Sequence, residues 1–449
     1  MKQDETIGAI STAIGYGGIG IVRLSGRTAI EIGDCVFRSS NGRKLSELED
    51  RKLVLGHVVD DSARNIDEVM AVVMRAPHSY TCEDVVELHC HGGAAVLRAV
   101  LRRTLEAGAR PAERGEFTKR AFLNGRLDLS QAQAVLDIIQ SKTDAALSIA
   151  EGKLRGSLSK EIKQLRQKIL DADAHIEAVI DFPEDDLDAV ELSKVDRLID
   201  DVSSAINQLL STETSGRIMR EGLRTAIIGK PNVGKSSLLN VLLRSERAIV
   251  TDIPGTTRDA IEEFADIDGV PLRIIDTAGI RNSNDAVEKI GVERAREHAK
   301  QAELILALID GSKPLTAEDA EIFSMIEGRD AIVLLTKSDL PRVIDLGDRD
   351  FLPISVKTGE GLERLKQLIV EKAGVPREGN IIRDAREAEA LRRALRHLQE
   401  ARETIKLNVG IDFVSIDLRS ALEALGELTG ETVGEEIINE IFSKFCIGK

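Results

Sequence analysis

The chain has 449 residues, 42% hydrophobic and 31% charged. That mixture excludes wholesale disorder and, at roughly 150 residues per domain, suggests about three packed domains. Sixty-one Lys and Arg against 76 Asp and Glu give a formal net charge of −15, so no global basic field exists and any nucleic-acid contact must come from a local patch.

In chain order, 19–24, 52–59 and 69–74 read as strands and 93–106 as a helix, so residues 1–118 form a small α+β domain. From 119 to 215 the pattern is helical. Leu154, Leu158, Ile162, Leu165, Ile169, Ile176 and Ile180 recur at three-, four- and seven-residue intervals, a long amphipathic stripe ended by Pro183. A second stripe runs through Leu192, Val195, Leu198, Val202, Ile206 and Leu209. Strands and helices alternate over 216–375, the mark of a parallel sheet with crossover helices, and 376–449 is helical again. The fold class expected is a multidomain α/β protein in which an α/β unit is inserted into a helical domain. Four scattered cysteines, Cys35, Cys82, Cys90 and Cys446, argue against a disulfide framework, as expected of a reducing cytosol. The first residues are acidic without an apolar stretch of signal-peptide type, and apolar runs such as 304–309 are far shorter than a membrane span. The expectation is a soluble, cytoplasmic protein with no membrane partner.

The strongest chemical signal is 229–236, a full G-x4-G-K-S motif between the strand-like 223–228 and a helical stretch. Its glycines let backbone N–H groups wrap phosphates, and the helix N-terminus favours negative charge. Lys235 is placed to reach the β- and γ-phosphates, and Ser236 to ligate Mg²⁺. Asp276-Thr277-Ala278-Gly279 follows the strand 272–275; Asp276 can hold Mg²⁺ through water and the Gly279 N–H can sense the γ-phosphate. Thr336-Lys337-Ser338-Asp339 follows 331–335, where the Asp can accept from guanine N1–H and its 2-amino group. Ser355-Val356-Lys357 would cap the base. Between the first two elements, 255–259 reads as a switch segment whose Thr257 can complete the Mg²⁺ shell. Ile280 stands where Ras-like enzymes carry a water-orienting Gln, and no cis arginine finger is evident. Hydrolysis therefore needs another device.

Three other signals are weighed and set lower. Residues 15–20 match G-x-G-x-x-G but lead into a strand, so no helix N-terminus faces a pyrophosphate and the glycines read as a turn. Cys82, His89, Cys90 and His91 are of zinc-ligand type, yet in a strand Cys90 points away from His89 and His91, which favours ordinary packing. Residues 98–126 carry eight Lys and Arg against three Glu, read as a solvated surface with a nucleic-acid-facing patch as the alternative.

These motifs together resemble the MnmE (TrmE) family of tRNA-modification GTPases along essentially the whole chain. The carrying segments are 17–26, 79–93, 115–132, 181–186, 229–240, 251–259, 276–295 and the terminal FCIGK at 445–449. The resemblance implies a Ras-like P-loop GTPase domain at 216–375, a helical domain made of 119–215 and 376–449, and a folate-binding-like dimerisation domain at 1–118. The implied GTP site comprises Asn232, Val233, Gly234, Lys235, Ser236 and Ser237, then Thr251, Asp252, Ile253, Pro254, Gly255, Thr256 and Thr257, with the three later motifs. Mg²⁺ would be held by Ser236 and Thr257. The family's answer to Ile280 is K⁺ in place of an arginine finger, held here by the Asn232 side chain and backbone oxygens of Thr251, Ile253 and Thr256, with Glu288 orienting water and Lys235 as the second catalytic residue. A tetrahydrofolate derivative would contact Arg23, Glu87, Arg126 and Lys449. The implied partners are a second copy, an MnmG (GidA)-type flavoprotein completing a heterotetramer, and tRNA.

This sequence departs from the family pattern in places. Thr336 replaces an Asn, losing an amide that contacts the base and braces the phosphate loop; Arg126 stands where Lys is also found, and Cys82 and Cys90 where Gly is familiar. Cys446 is either a catalytic thiol or a buried structural one. The leading reading is a K⁺-stimulated GTP hydrolase that, with the flavoprotein, adds an aminomethyl or carboxymethylaminomethyl group to C5 of the wobble uridine, position 34 of tRNA. The alternatives are an RNA-binding ribosome-assembly GTPase switch and a folate-dependent transferase with a vestigial GTPase domain.

Overall fold

The computed structural model describes residues 5–181, 188–245, 263–275, 296–347, 349–375, 379–407 and 410–449. Two compact units emerge, one from 1–136 with 426–449 and the other from 137–425.

The first unit is built on a seven-stranded sheet of order β3-β4-β5-β6-β2-β1-β7. Its strands are β1 (Ile7–Ile10), β2 (Ile19–Ser25), β3 (Phe37–Ser39), β4 (Val54–Val59), β5 (Asn65–Met74), β6 (Val85–His91) and β7 (Arg110–Pro111). All pairings are antiparallel except β1 with β7. On β2 the alternation buries Val22 and Leu24 in a core with residues of α1 (Ala29–Val36) and α2 (Ala94–Glu106). Arg23 therefore projects from the opposite face, and register sets it across from Glu87 on β6. Of the glycines of 15–20, Gly20 serves close approach, since a Cβ there would meet Leu97 of α2, whereas Gly15 and Gly18 have open space around them; a Cβ on Gly92 would lie 2.2 Å from the Gly17 carbonyl oxygen. The stretch bends and then enters β2, so no helix N-terminus follows it.

Two later helices complete this unit. They are α3 (Glu116–Leu123) and α14 (Glu435–Ser443), and Phe442 and Phe445 join Leu129 and Ala132 in one apolar cluster. The segment after α14 returns to the sheet. Ile447 bridges Arg114, the Gly115 N–H donates to Cys446 O, and a Cβ on Gly448 would sit 2.3 Å from Ile10 O.

In the second unit, α6 (Ser157–Asp181), α7 (Asp188–Ser211) and α12 (Ala385–Leu407) form the helical part; α4 (Leu129–Gln140) and the short α5 (Asp144–Leu154) precede them and α13 (Ile411–Thr429) follows. Leu158, Ile162, Leu165, Ile169 and Ile176 are buried, as are Val195, Val202, Ile206 and Leu209. The first stripe is not one helix, however. The chain breaks between α5 and α6 at Gly156, φ +86°, so Leu154 belongs to α5, and Ile180 at the far end is 36% exposed. Ile199 rather than Leu198 enters the core on α7. Pro183 lies outside the described residues.

The α/β part of this unit carries a six-stranded sheet of order β13-β12-β11-β8-β10-β9. Here β8 (Leu223–Gly229), β10 (Val270–Ile274), β11 (Leu304–Asp310), β12 (Ala331–Thr336) and β13 (Leu352–Ile354) are parallel, and β9 (Glu263–Ile267) is an antiparallel edge. Every residue of β11 is buried, which explains its uninterrupted apolar run. Helices α9 (Lys235–Ser245), α10 (Ala317–Ile326) and α11 (Leu362–Ala373) flank the sheet. The helical and α/β parts are joined closely: α8 (Glu213–Glu221) leads into β8, Ser215 Oγ donates to Gly374 O at 2.8 Å, and Thr143 Oγ1 donates to Gly269 O at 2.8 Å.

Candidate nucleotide and pterin sites

The phosphate loop is the turn between β8 and α9. Two of its residues adopt left-handed backbone, Asn232 at φ +62° and Gly234 at φ +107°. A Cβ on Gly234 would meet nothing within 4 Å, so the dihedral, not space, calls for glycine there; Asn is the side chain that tolerates this region best. Between them Val233 is 1% exposed and anchors the underside of the loop. Lys235 folds back over it, donating from Nζ to Gly229 O and Lys230 O, both at 2.7 Å. Burial depresses the Lys235 pKa below the ordinary lysine value. An ammonium held over main-chain carbonyls beside a helix N-terminus is matched to a phosphate, whose oxygens can take over those bonds. Ser236 and Ser237 occupy the first turn of α9.

The segments that follow β12 and β13 carry the residues expected to read the base. Asp339 Oδ1 accepts from Ser355 Oγ at 2.8 Å, and Lys357 Nζ lies 4.0 Å from Asp339 Oδ2. This leaves the Asp339 carboxylate oriented by a buried hydroxyl, ready to accept from a guanine edge. Ser338 donates to Glu360 Oε2 at 2.7 Å. Lys337, at φ +61°, reaches Asp310 Oδ2 at the end of β11, 2.6 Å away. Burial alone would raise the Asp310 carboxyl, but Lys337 and the Ser312 hydroxyl and N–H outweigh it and hold it below the usual carboxylate value. Sequence reasoning passed over Asp310; its signal is an acid closing an otherwise apolar strand. The expected loss of a loop brace at Thr336 does not occur: its hydroxyl lies 2.9 Å from Val233 O. Thr251, Asp252, Ile253, Pro254, Gly255, Thr256, Thr257, Asp276, Thr277, Ala278, Gly279, Ile280 and Glu288 lie outside the described residues.

In the first unit, Arg23 Nε donates to Glu87 Oε1 at 2.8 Å, and its guanidinium stands 5.8 Å from the Tyr80 ring centre and 5.7 Å from that of Phe117. Arg126 lies 4.7 Å from the same Tyr80 ring and donates to Tyr80 O at 2.7 Å. Tyr80 thus stands between two of the four residues expected at a folate site, Arg23 and Arg126, a place sequence reasoning missed although the residue stood in a quoted segment. Beside it opens a cleft of about 530 Å³ lined by Arg51, His78, Tyr80, Cys82 and Arg126 among others. Lys449 is half-buried after Gly448.

The zinc-type residues are engaged separately, as ordinary packing requires. His91 Nδ1 pairs with Asp67 at 2.6 Å, His89 Nε2 with Glu87 at 3.2 Å, and Cys90 is buried. Much of the basic excess at 98–126 is consumed internally. Arg110 and Arg120 share Glu116, Arg120 also takes Glu83, Arg103 pairs with Asp61, and Lys119 bonds Asn439. Cys446 is exposed, which removes the buried structural alternative.

Comparison with known proteins covers nearly the whole chain. Residues 6–126 match the family model described as the GTP-binding protein TrmE N-terminus, and 129–446 match the MnmE helical domain. The tRNA modification GTPase MnmE of Alkaliphilus metalliredigens is 47% identical over 461 aligned positions, covering 100% of both chains. That of Geobacillus thermodenitrificans is 48% identical over 462, again with 100% of both covered. Among solved structures, the G domain of the T. maritima FeoB iron transporter aligns with 33% of this chain and 97% of its own, at 28% identity and TM-score 0.25.

Proposed function

The chain belongs to the MnmE family of tRNA modification GTPases, and on that premise we propose that K⁺-stimulated GTP hydrolysis at the loop ending in Lys235 drives modification of the tRNA wobble uridine. In this reading the chain works as a homodimer with an MnmG (GidA)-type flavoprotein, adding an aminomethyl or carboxymethylaminomethyl group to C5. The observation that carries it is the coupling of a phosphate loop to a guanine-reading carboxylate: Lys235 over its own loop carbonyls, and Asp339 oriented by Ser355.

Each residue's part follows from its chemistry. Lys235 exchanges two carbonyl acceptors for phosphate oxygens, and the loop N–H groups hold the same charge. Ser236 and Thr257 are the hydroxyls suited to Mg²⁺, which supplies charge neutralisation at the β- and γ-phosphates. Asn232, exposed on a left-handed turn, offers a side-chain oxygen to K⁺ together with backbone oxygens of Thr251, Ile253 and Thr256. A monovalent cation held there would offset charge developing on the transferred phosphoryl group. Glu288 would orient the attacking water, a task the apolar Ile280 cannot perform.

For the one-carbon donor, the Arg23–Glu87 pair, Tyr80 and Arg126 fit a folate chemically. Glu87 can accept from pterin N–H groups, an aromatic face can stack, and Arg126 and Lys449 can meet carboxylate oxygens. A tetrahydrofolate derivative bound there would supply the carbon. The helical part, α5 to α7 with α12, would relay the state of the 216–375 domain to that site. Full-length identity to MnmE relatives leaves the ribosome-assembly reading without support. The test is mass spectrometry of wobble uridine in tRNA from a strain lacking this chain. Re-expressing the chain should restore the modified nucleoside and the Lys235→Ala variant should not; an unmodified wobble uridine after re-expression of wild type overturns the proposal.

A further inference from the structure

Thr336 ends β12 at a point where one hydrogen decides two interactions. The residue is 5% exposed, and its hydroxyl lies 2.9 Å from Val233 O in the phosphate loop and 3.2 Å from Ile309 O on β11. A hydroxyl carries a single hydrogen, and both neighbours are acceptors. Whichever carbonyl takes it, the hydrogen stays inside the protein and only lone pairs remain to offer. Guanine presents N7 and O6 as acceptors on one edge and the 2-amino group as a donor on the other. Thr336 has nothing to donate to N7. Lys337, next along, has its ammonium on Asp310 at 2.6 Å.

The bond to Val233 has a second consequence. In a planar trans peptide the C=O and the following N–H point in opposite directions. A Val233 carbonyl held on Thr336 therefore turns the Gly234 N–H away from the strand ends, toward the side left for a phosphate. That plane turns about ψ of Val233 and φ of Gly234, and Gly234, at φ +107°, admits settings that a side chain would forbid; the hydroxyl selects one of them.

We propose that Thr336 is a positioning residue, a strut that sets the phosphate-loop amide between Val233 and Gly234, and that this chain consequently leaves guanine N7 unread. The inference rests on the guanine-nucleotide site described above and adds which part of the base the protein ignores. It also replaces the simple expectation that Thr at this position weakens both functions of an Asn: the strut is kept and the base contact is given up.

The test compares GDP with 7-deaza-GDP, which lacks the N7 acceptor, by equilibrium binding to the full chain. Wild type should bind the two within about twofold. Thr336→Ser keeps the hydroxyl and should match wild type. Thr336→Val keeps the shape but leaves Val233 O without its donor, and should bind GDP at least about tenfold more weakly. Thr336→Asn supplies one N–H for Val233 O and a second for N7. It should bind GDP more tightly than wild type and discriminate against 7-deaza-GDP by about tenfold, a readout that a purely structural role would not move. A wild-type preference for GDP over 7-deaza-GDP beyond about fivefold overturns the unread N7, and Thr336→Val binding like wild type overturns the strut. Should Thr336→Val fail to fold, wild type, Thr336→Ser and Thr336→Asn still decide the matter. Folded wild type that binds no GDP at all would instead overturn the nucleotide site itself.

Discussion

Thiol reactivity depends on how readily the thiolate forms and whether a reagent can reach it, and two cysteines of the first unit stand at opposite extremes. Cys90 sits on β6 among core side chains; burial, with a smaller contribution from Asp67, pushes its thiol up to about 12. Since that value lies far above the ordinary thiol range, the thiolate is scarce until pH approaches 12. Cys446 is exposed beside the Arg114–Ile447 bridge. Brief treatment of the native chain with iodoacetamide at pH 8 should label Cys446 and Cys35 and spare Cys90, with peptide mass spectrometry as the readout. Equal labelling of Cys90 and Cys446 would contradict this packing. The family resemblance raised Cys446 as a thiol of interest, but only the fold could reveal its access, because exposure depends on partners remote in sequence.

Among the elements, α8 is the clearest case of a local rule overruled by tertiary structure. Gly216 lies in its interior, where Gly→Ala normally stabilises a helix by roughly 0.5–1 kcal/mol. Here a Cβ would sit 1.9 Å from Ile382 O and 2.7 Å from its carbonyl carbon. Backbone cannot swing aside as a side-chain tip can, so Gly216→Ala should destabilise by about 1–3 kcal/mol. Thermal unfolding of the full chain checks the sign: a raised midpoint would refute the close approach. The same element shows why helix boundaries were only partly legible. Periodicity found the stripes of α6 and α7 because each buries one face against a neighbour. It ran α5 and α6 together because Leu154 keeps the spacing across Gly156, and a left-handed glycine does not interrupt an apolar count.

For the molecule as a whole, the proposed K⁺ site beside Asn232 predicts GTP turnover faster in KCl than in NaCl at equal ionic strength. Equal rates would remove the cation from the mechanism. The phosphate-loop motif and the 336–339 motif were legible from sequence because each packs its chemistry into a few consecutive residues after a strand. Tyr80, Asp310 and the partner of Thr336 were not. Each acts across segments far apart in the chain, and composition or spacing carries no record of which segments meet.

The return of 426–449 to the sheet laid down by the first residues has a consequence for biogenesis. A ribosome emitting 5–20 residues per second needs roughly 15–60 s to make the intervening stretch, 137–425. Throughout that interval the exit side of the tunnel presents an N-terminal unit lacking the Phe442 and Phe445 of its helical cluster and the Ile447 that bridges Arg114. The later-made unit can finish folding first, and the earlier-made one waits for it, its unfinished apolar surface in the keeping of whatever chaperones attend the nascent chain.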